Sequence, residues 1–137
     1  MKYYIFLLIT YICLAGCSKE PTQAQLELVD QLIQEQIDIP YKQPNLDAAK
    51  DILIKKGETV KEATERNKKL YTEIHNFLVA LKNKPYKDKK AWAINYLELT
   101  IDQWESTINA FDKSDKENKE IVLLHEKRKE WLTILKE

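Results

Sequence analysis

Residues 91–111 read AWAINYLELTIDQWESTINAF. Within them Ile94, Leu97, Ile101, Trp104, Ile108 and Phe111 follow one another at steps of three and four, the spacing that puts side chains on one face of an α-helix. A half-buried strand would alternate at steps of two, and no such run is sustained here or in the blocks on either side. At about 100° per residue, Trp92, Tyr96 and Leu99 gather on the side opposite this stripe. A helix that is apolar on two sides is either sandwiched between neighbours or offers one side to a partner, and the sequence leaves both open.

The same period extends outward. Pro85 opens this helix, with Asp88 as its expected cap. Beyond it, Ser114 and Glu117 have the spacing of a capping box for a last helix whose face is Ile121, Leu124, Trp131, Leu132 and Leu135. Upstream, Pro40 and Pro44 interrupt the helical pattern, because proline lacks the backbone donor that a helix needs. They separate a first helix from about Thr22 to Asp38, with Leu26, Val29, Leu32, Ile33 and Ile37 on one face, from a block running from Leu46 to Lys82. Asn45 is a suitable N-cap for that block. Its Leu46, Ala49, Leu53, Val60, Ala63, Leu70, Ile74, Phe77 and Leu81 trace a heptad seam interrupted at Lys56 and Asn67. The expected fold class is all-α, a small antiparallel bundle of about four helices. As one helix, the second block would be ~55 Å long against ~25 Å for the first. Either it breaks near Gly57, or the bundle lies on its side.

The chain's 22 basic and 22 acidic residues balance, so the electrostatic footprint of a nucleic-acid binder is absent. Only Arg66 and Arg128 are arginine, which leaves few planar forks for phosphate or carboxylate. With two glycines in 137 residues, a glycine-rich phosphate loop is excluded. His75 and His125 lack the Glu-x-x-His and His-Glu-x-x-His spacings of helical metal sites, and read as half-exposed polar side chains. Glu62 with Arg66, and Glu65 with Lys69, have the order that supports a solvated helix surface. No serine or cysteine has a recognisable catalytic partner. Thus no catalytic residue, metal or cofactor is expected.

Two features stand out from this background. The turn from Lys82 to Lys90 carries five lysines against Asp88, and Lys89 and Lys90 at the start of a helix oppose its dipole. Beside it in sequence lies the Trp92 and Tyr96 patch. Lys84, Lys87, Lys89, Lys90, Trp92 and Tyr96 are therefore the candidate contacts with a partner or a membrane.

The N-terminus, MKYYIFLLITYICLAGCSKE, has one positive charge at Lys2, an apolar run to Leu14, and then Leu14-Ala15-Gly16-Cys17. This is the order of a secretory signal, and the run is shorter than the roughly 20 residues of a transmembrane helix. Leu-Ala-Gly-Cys in this place resembles the bacterial lipobox. The resemblance covers the first twenty residues and implies removal of residues 1–16 and lipid attachment at Cys17. Residues 17–21 would then be a lipidated N-terminus and short tether, and 22–137 the helical domain. With Cys13 removed and Cys17 alkylated, that domain would carry no free thiol and no disulfide. Ser18 lacks the aspartate of an inner-membrane retention signal, so a Gram-negative cell would hold the protein at its outer membrane, and a Gram-positive cell on the outer face of its membrane. The resulting expectation is a non-enzymatic helical interaction module of the adaptor, pilot, immunity or exclusion type, meeting another envelope protein. The alternative is a carrier that binds a ligand or metal in the bundle interior.

Overall fold

The computed structural model describes residues 19–110 and 116–137, of which 106, 108–110 and 116–118 are described by backbone alone. The expected signal peptide (residues 1–16), Cys17, Phe111 at the end of the 94–111 stripe and the expected Ser114 cap lie outside the described residues, as do the side chains of Ile108 and Glu117. The described chain is helical, with no strand in it: α1 (Gln23–Ile37), a 3-10 turn at Asp47–Ala49, α2 (Lys50–Lys55), α3 (Val60–Lys82), α4 (Tyr86–Ala110) and α5 (Lys116–Lys136).

α1 is bounded as its sequence suggests. Thr22 caps it, its hydroxyl accepting from the Gln25 N–H while the Gln25 side chain accepts from the Thr22 N–H, so two donors at the helix start are satisfied together. Asp38 closes it. Its inward face is broader than the expected stripe: Leu28, Val29, Leu32 and Ile33 are buried, and so is Gln25, which donates to the Ile134 carbonyl at 2.8 Å.

The long second block is broken at Gly57, and the described residues therefore hold five helices rather than four. Gly57 takes φ +72°, the left-handed conformation that costs other residues about 1–2 kcal/mol. Its N–H donates to the Ile54 carbonyl and that of Glu58 to the Leu53 carbonyl, the paired bonds of a Schellman end. Thr59 at once starts α3 through a capping box with Glu62. Glu62 is thereby engaged at the helix start and does not pair with Arg66, which forks onto Glu58 at 2.8 and 3.0 Å. The Glu65–Lys69 pair is likewise replaced by Lys61–Glu65 and Lys69–Glu73. A β-carbon on Gly57 would meet nothing within 4 Å, so only backbone strain opposes a side chain there. Gly57→Ala should cost about 1–2 kcal/mol, read as a lower denaturation midpoint with an unchanged m-value.

Leu28, Val29, Leu32 and Ile33 of α1 meet Leu78 and Leu81 of α3, Ala93 and Leu97 of α4, and Leu135 of α5 in one core. α1 is the shared neighbour, since it packs on α3, α4 and α5, while α4 and α5 pack on each other most extensively. Polar contacts fix the directions. Tyr71 of α3 donates to the Ile39 carbonyl and Lys82 reaches Gln34, so α3 runs against α1. Lys89 pairs with Asp30 and Gln36 donates to the Tyr96 hydroxyl, so α4 runs with α1. Lys136 meets Glu98 and Lys129 meets Glu105, so α5 runs against α4.

At ~1.5 Å per residue, α1 is ~22 Å long, whereas α3 and α4 are each about half as long again. Both outrun it at its C-terminal end. The seam expectation is corrected: Ala63 and Leu81 are buried, but Leu70, Ile74 and Phe77 are 50–55% exposed, because α3 turns Leu78 rather than Phe77 toward α1, and Leu70 and Ile74 lie past the end of α1, beside Tyr41 and Pro44. Asp88 also sits inside the first turn of α4 rather than before it, its N–H bonded to the Pro85 carbonyl, because the helix begins directly after the proline. On α5, Leu135 is buried and Trp131 and Leu132 pack on the core, while Leu124 is 43% exposed. No described helix is long and apolar enough to cross a membrane.

Candidate functional site

The start of α1, the start of α4 and the end of α5 meet at one end of the molecule. A recess of about 190 Å³ lies there, lined by Lys19, Glu20, Pro21, Thr22, Gln25, Tyr86, Lys90 and Glu137. Local rules explain each placement. Pro21 precedes the Thr22 cap, which fixes how the N-terminal segment leaves α1; Pro85 starts α4, which puts Tyr86 and Lys90 one turn apart on it; and the antiparallel return of α5 brings its last residue back to the same place.

The six residues singled out between Lys84 and Tyr96 fare differently. Lys84 and Lys87 are exposed and Lys90 is half-buried at the recess. Lys89 is drawn inward instead, its side chain 14% exposed and its ammonium 2.6 Å from Asp30. The dipole conflict at the start of α4 is thus offset within the protein for Lys89. Trp92 and Tyr96 stack with ring centroids 5.2 Å apart and planes 8° from parallel, and both pack on the core. Burial pushes the Tyr96 hydroxyl above its ordinary range. Of the patch on that side of α4, only Leu99, 63% exposed, stands free of the core. The sandwiched arrangement therefore holds for the two aromatics, and lysine charge and aromatic area do not form one exposed surface.

The two histidines lie on different helices. His75 is half-buried and stacks on Tyr71. His125 is not half-exposed as expected: it is 4% exposed in the α4–α5 contact, its Nε2 3.8 Å from Glu105 and its Nδ1 without a hydrogen-bond partner. The long return of α5 along α4 covers it, which its own turn of sequence could not reveal. Among the described residues, no group of three or more His, Cys, Asp or Glu side chains is arranged to hold a metal ion.

Two other depressions lie toward the far ends of the longer helices. One, about 310 Å³, is lined by Tyr41, Lys42, Pro44, Asn67, Leu70, Tyr71 and Ile74. The other, about 510 Å³, flanks the Gly57 break between Asp47, Lys50, Ile54 and Lys61. At that break the Arg66 guanidinium holds the Glu58 carboxyl below its ordinary range, and the Thr59 N–H and hydroxyl do the same for Glu62.

The chain matches no protein-family model, no curated protein and no solved structure.

Tyr86, Lys19, Glu20 and Glu137 escape the sequence reading. Lys19 and Glu20 belong to a segment that carries no periodic signal, Glu137 follows the last helix, and their meeting with α4 depends on long-range packing.

Proposed function

We propose that the protein is a bacterial envelope lipoprotein, tethered through lipid on Cys17, in which a small antiparallel bundle serves as a non-enzymatic interaction module of the adaptor, pilot, immunity or exclusion type. One observation carries this reading. Lys19, two residues after Cys17, lines the same recess as Lys90 and Glu137, so a lipid on Cys17 would hold this end of the bundle at the membrane. Lys84 and Lys87 would face the headgroups, where each lysine near an anionic surface contributes about 1 kcal/mol. The free ends of α3 and α5, with α2, would then point away from the membrane. Exposed apolar side chains are found there: Ile52 and Ile54 on α2, 57% and 63% exposed, and Leu123 on α5, 72% exposed. Such side chains, raised off the bilayer, suit contact with another envelope protein.

Nitroxide labels on the full lipoprotein in liposomes test the orientation. A label at position 87 should show the accessibility of the headgroup layer and one at position 123 that of bulk water. Equal aqueous exposure of both, or the reverse order, would overturn the reading.

A further inference from the structure

We infer that the uncovered face of α3, formed by Leu70, Ile74 and Phe77, pairs with the same face of a second copy of the chain, the two α3 helices lying parallel on one membrane. The inference rests on the tethered reading for the confinement of the copies, and on α3 itself for the pairing.

α3 carries two neighbouring faces. The one turned to the rest of the molecule includes Thr64, Asn67, Tyr71 and His75, all half-buried, and Leu78, which is buried. The other is more apolar and is left outside: Leu70, Ile74 and Phe77 are 50%, 51% and 55% exposed. From Asn67 to Phe77 the steps are three, four and three, the heptad alternation by which helices pack on copies of themselves. In that register Asn67 and Ile74 take position a, and Leu70 and Phe77 take position d. A β-branched residue at a with leucine at d favours two parallel strands, and a single polar a residue fixes their register. Asn67 is equipped for this. It lines the depression beside Leu70 and Ile74, and its Nδ2 donates once, to the Ala63 carbonyl at 2.8 Å, which leaves the second N–H and the amide oxygen for the Asn67 of another copy.

Charge selects the direction. At about 100° per residue, Tyr71 and Glu73 lie on opposite sides of the Leu70–Ile74 line. The Tyr71 side is lined by the segment that carries Lys42, since the Tyr41 and Tyr71 rings meet and Lys42 borders the same depression as Leu70 and Ile74. Lys42 is exposed and enters no ion pair among the described residues, and Glu73, 61% exposed, meets Lys69 only at 3.8 Å. A two-fold axis along parallel helices sets the Lys42 side of each copy against the Glu73 side of the other. Antiparallel helices would set lysine on lysine and glutamate on glutamate. Copies anchored through Cys17 in one membrane stand the same way up, which is the parallel arrangement.

Area sets the strength. Three half-exposed side chains leave roughly 300 Å² uncovered per copy, so two copies face to face cover about 600 Å² of apolar surface. That is about half of the ~1,200 Å² at which stable interfaces begin. Such a contact is weak between freely diffusing molecules and forms where tethering raises the effective concentration.

Disulfide trapping in liposomes that carry the full lipoprotein tests this. With Cys17 alkylated and Cys13 removed, Leu70→Cys supplies the single free thiol, and equivalent positions across a parallel seam come within the roughly 4.4–6.8 Å between α-carbons that a disulfide needs. Dimer should form about tenfold faster than with Leu123→Cys, a more exposed site away from the seam. Adding Glu73→Lys should slow trapping about fivefold, the scale of exposed ion pairs, and adding Lys42→Glu as well should restore it. Circular dichroism shows whether each variant remains folded. Equal trapping at positions 70 and 123 would reduce the face to a site of chance collision and overturn the pairing. Trapping that the charge exchange fails to restore would overturn the parallel arrangement. Flotation of the liposomes reports the tether separately: a chain that does not float defeats the tethered reading by itself, and sedimentation at about millimolar concentration, with and without Glu73→Lys, then decides the pairing.

Discussion

Leu32→Ala is expected to destabilise the domain by about 3–5 kcal/mol and to lower its Tm by roughly ten degrees or more. Leu32 is 1% exposed at the middle of α1, and α1 is the helix against which α3, α4 and α5 all pack. Truncation there removes apolar burial and leaves a cavity lined by side chains from several helices, which cannot all close in at once. The matched control is Leu123→Ala, at a side chain 72% exposed, which should change stability by no more than about 0.5 kcal/mol. Urea unfolding of both variants checks the pair; similar midpoints would mean that α1 is not the organising helix.

Cys17→Ser should abolish lipid attachment and leave residues 1–16 in place. A serine hydroxyl lacks the nucleophilic thiolate from which a thioether is made, and at a lipobox that thioether precedes cleavage. Incorporation of labelled palmitate should fall to background, and the chain should migrate as the longer precursor. Labelling at the wild-type level would remove the basis for the tether. The effect is all-or-none because anchoring of this kind depends on acyl chains, each buried methylene contributing about 0.8 kcal/mol, and no described helix can substitute by crossing the bilayer.

The helices were legible because helix formation is local. The three-four stripe of residues 94–104 survives as Leu97 and Ile101 buried, with Ile94 and Trp104 half-buried, and Thr22 and Asp38 bound α1 as expected. Sequence left the Gly57 break open, although Thr59 and Glu62 have the spacing of a capping box and could have decided it. The fate of the α3 seam was not legible. Leu70, Ile74 and Phe77 lead in heptad spacing to Leu81, but the face that α3 turns to α1 carries Leu78 instead of Phe77, and α1 ends before it can cover Leu70 and Ile74. Charge pairing was not legible for a related reason: Glu62 has both Arg66 and its own helix start within reach, and the helix cap takes it.

The candidate site was half legible. Lys90 belongs to the lysine turn that composition picks out, and the recess was reached from it. Tyr86 gave no signal, since an aromatic after a proline is ordinary; its distinction is a hydroxyl buried without a partner. Trp92 and Tyr96 were ambiguous from periodicity, which identifies two apolar sides but not whether α1 or solvent faces the second. Gln36 answers it, because a side chain of α1 donates to the Tyr96 hydroxyl at 2.9 Å.

The intact mass of the protein extracted from membranes of cells expressing the full chain tests the tether most directly. The expected species begins at Cys17 and carries diacylglycerol on its sulfur, with or without a further acyl group on its amine. A chain that retains Met1–Gly16, or one that begins at Cys17 without added lipid mass, would contradict it.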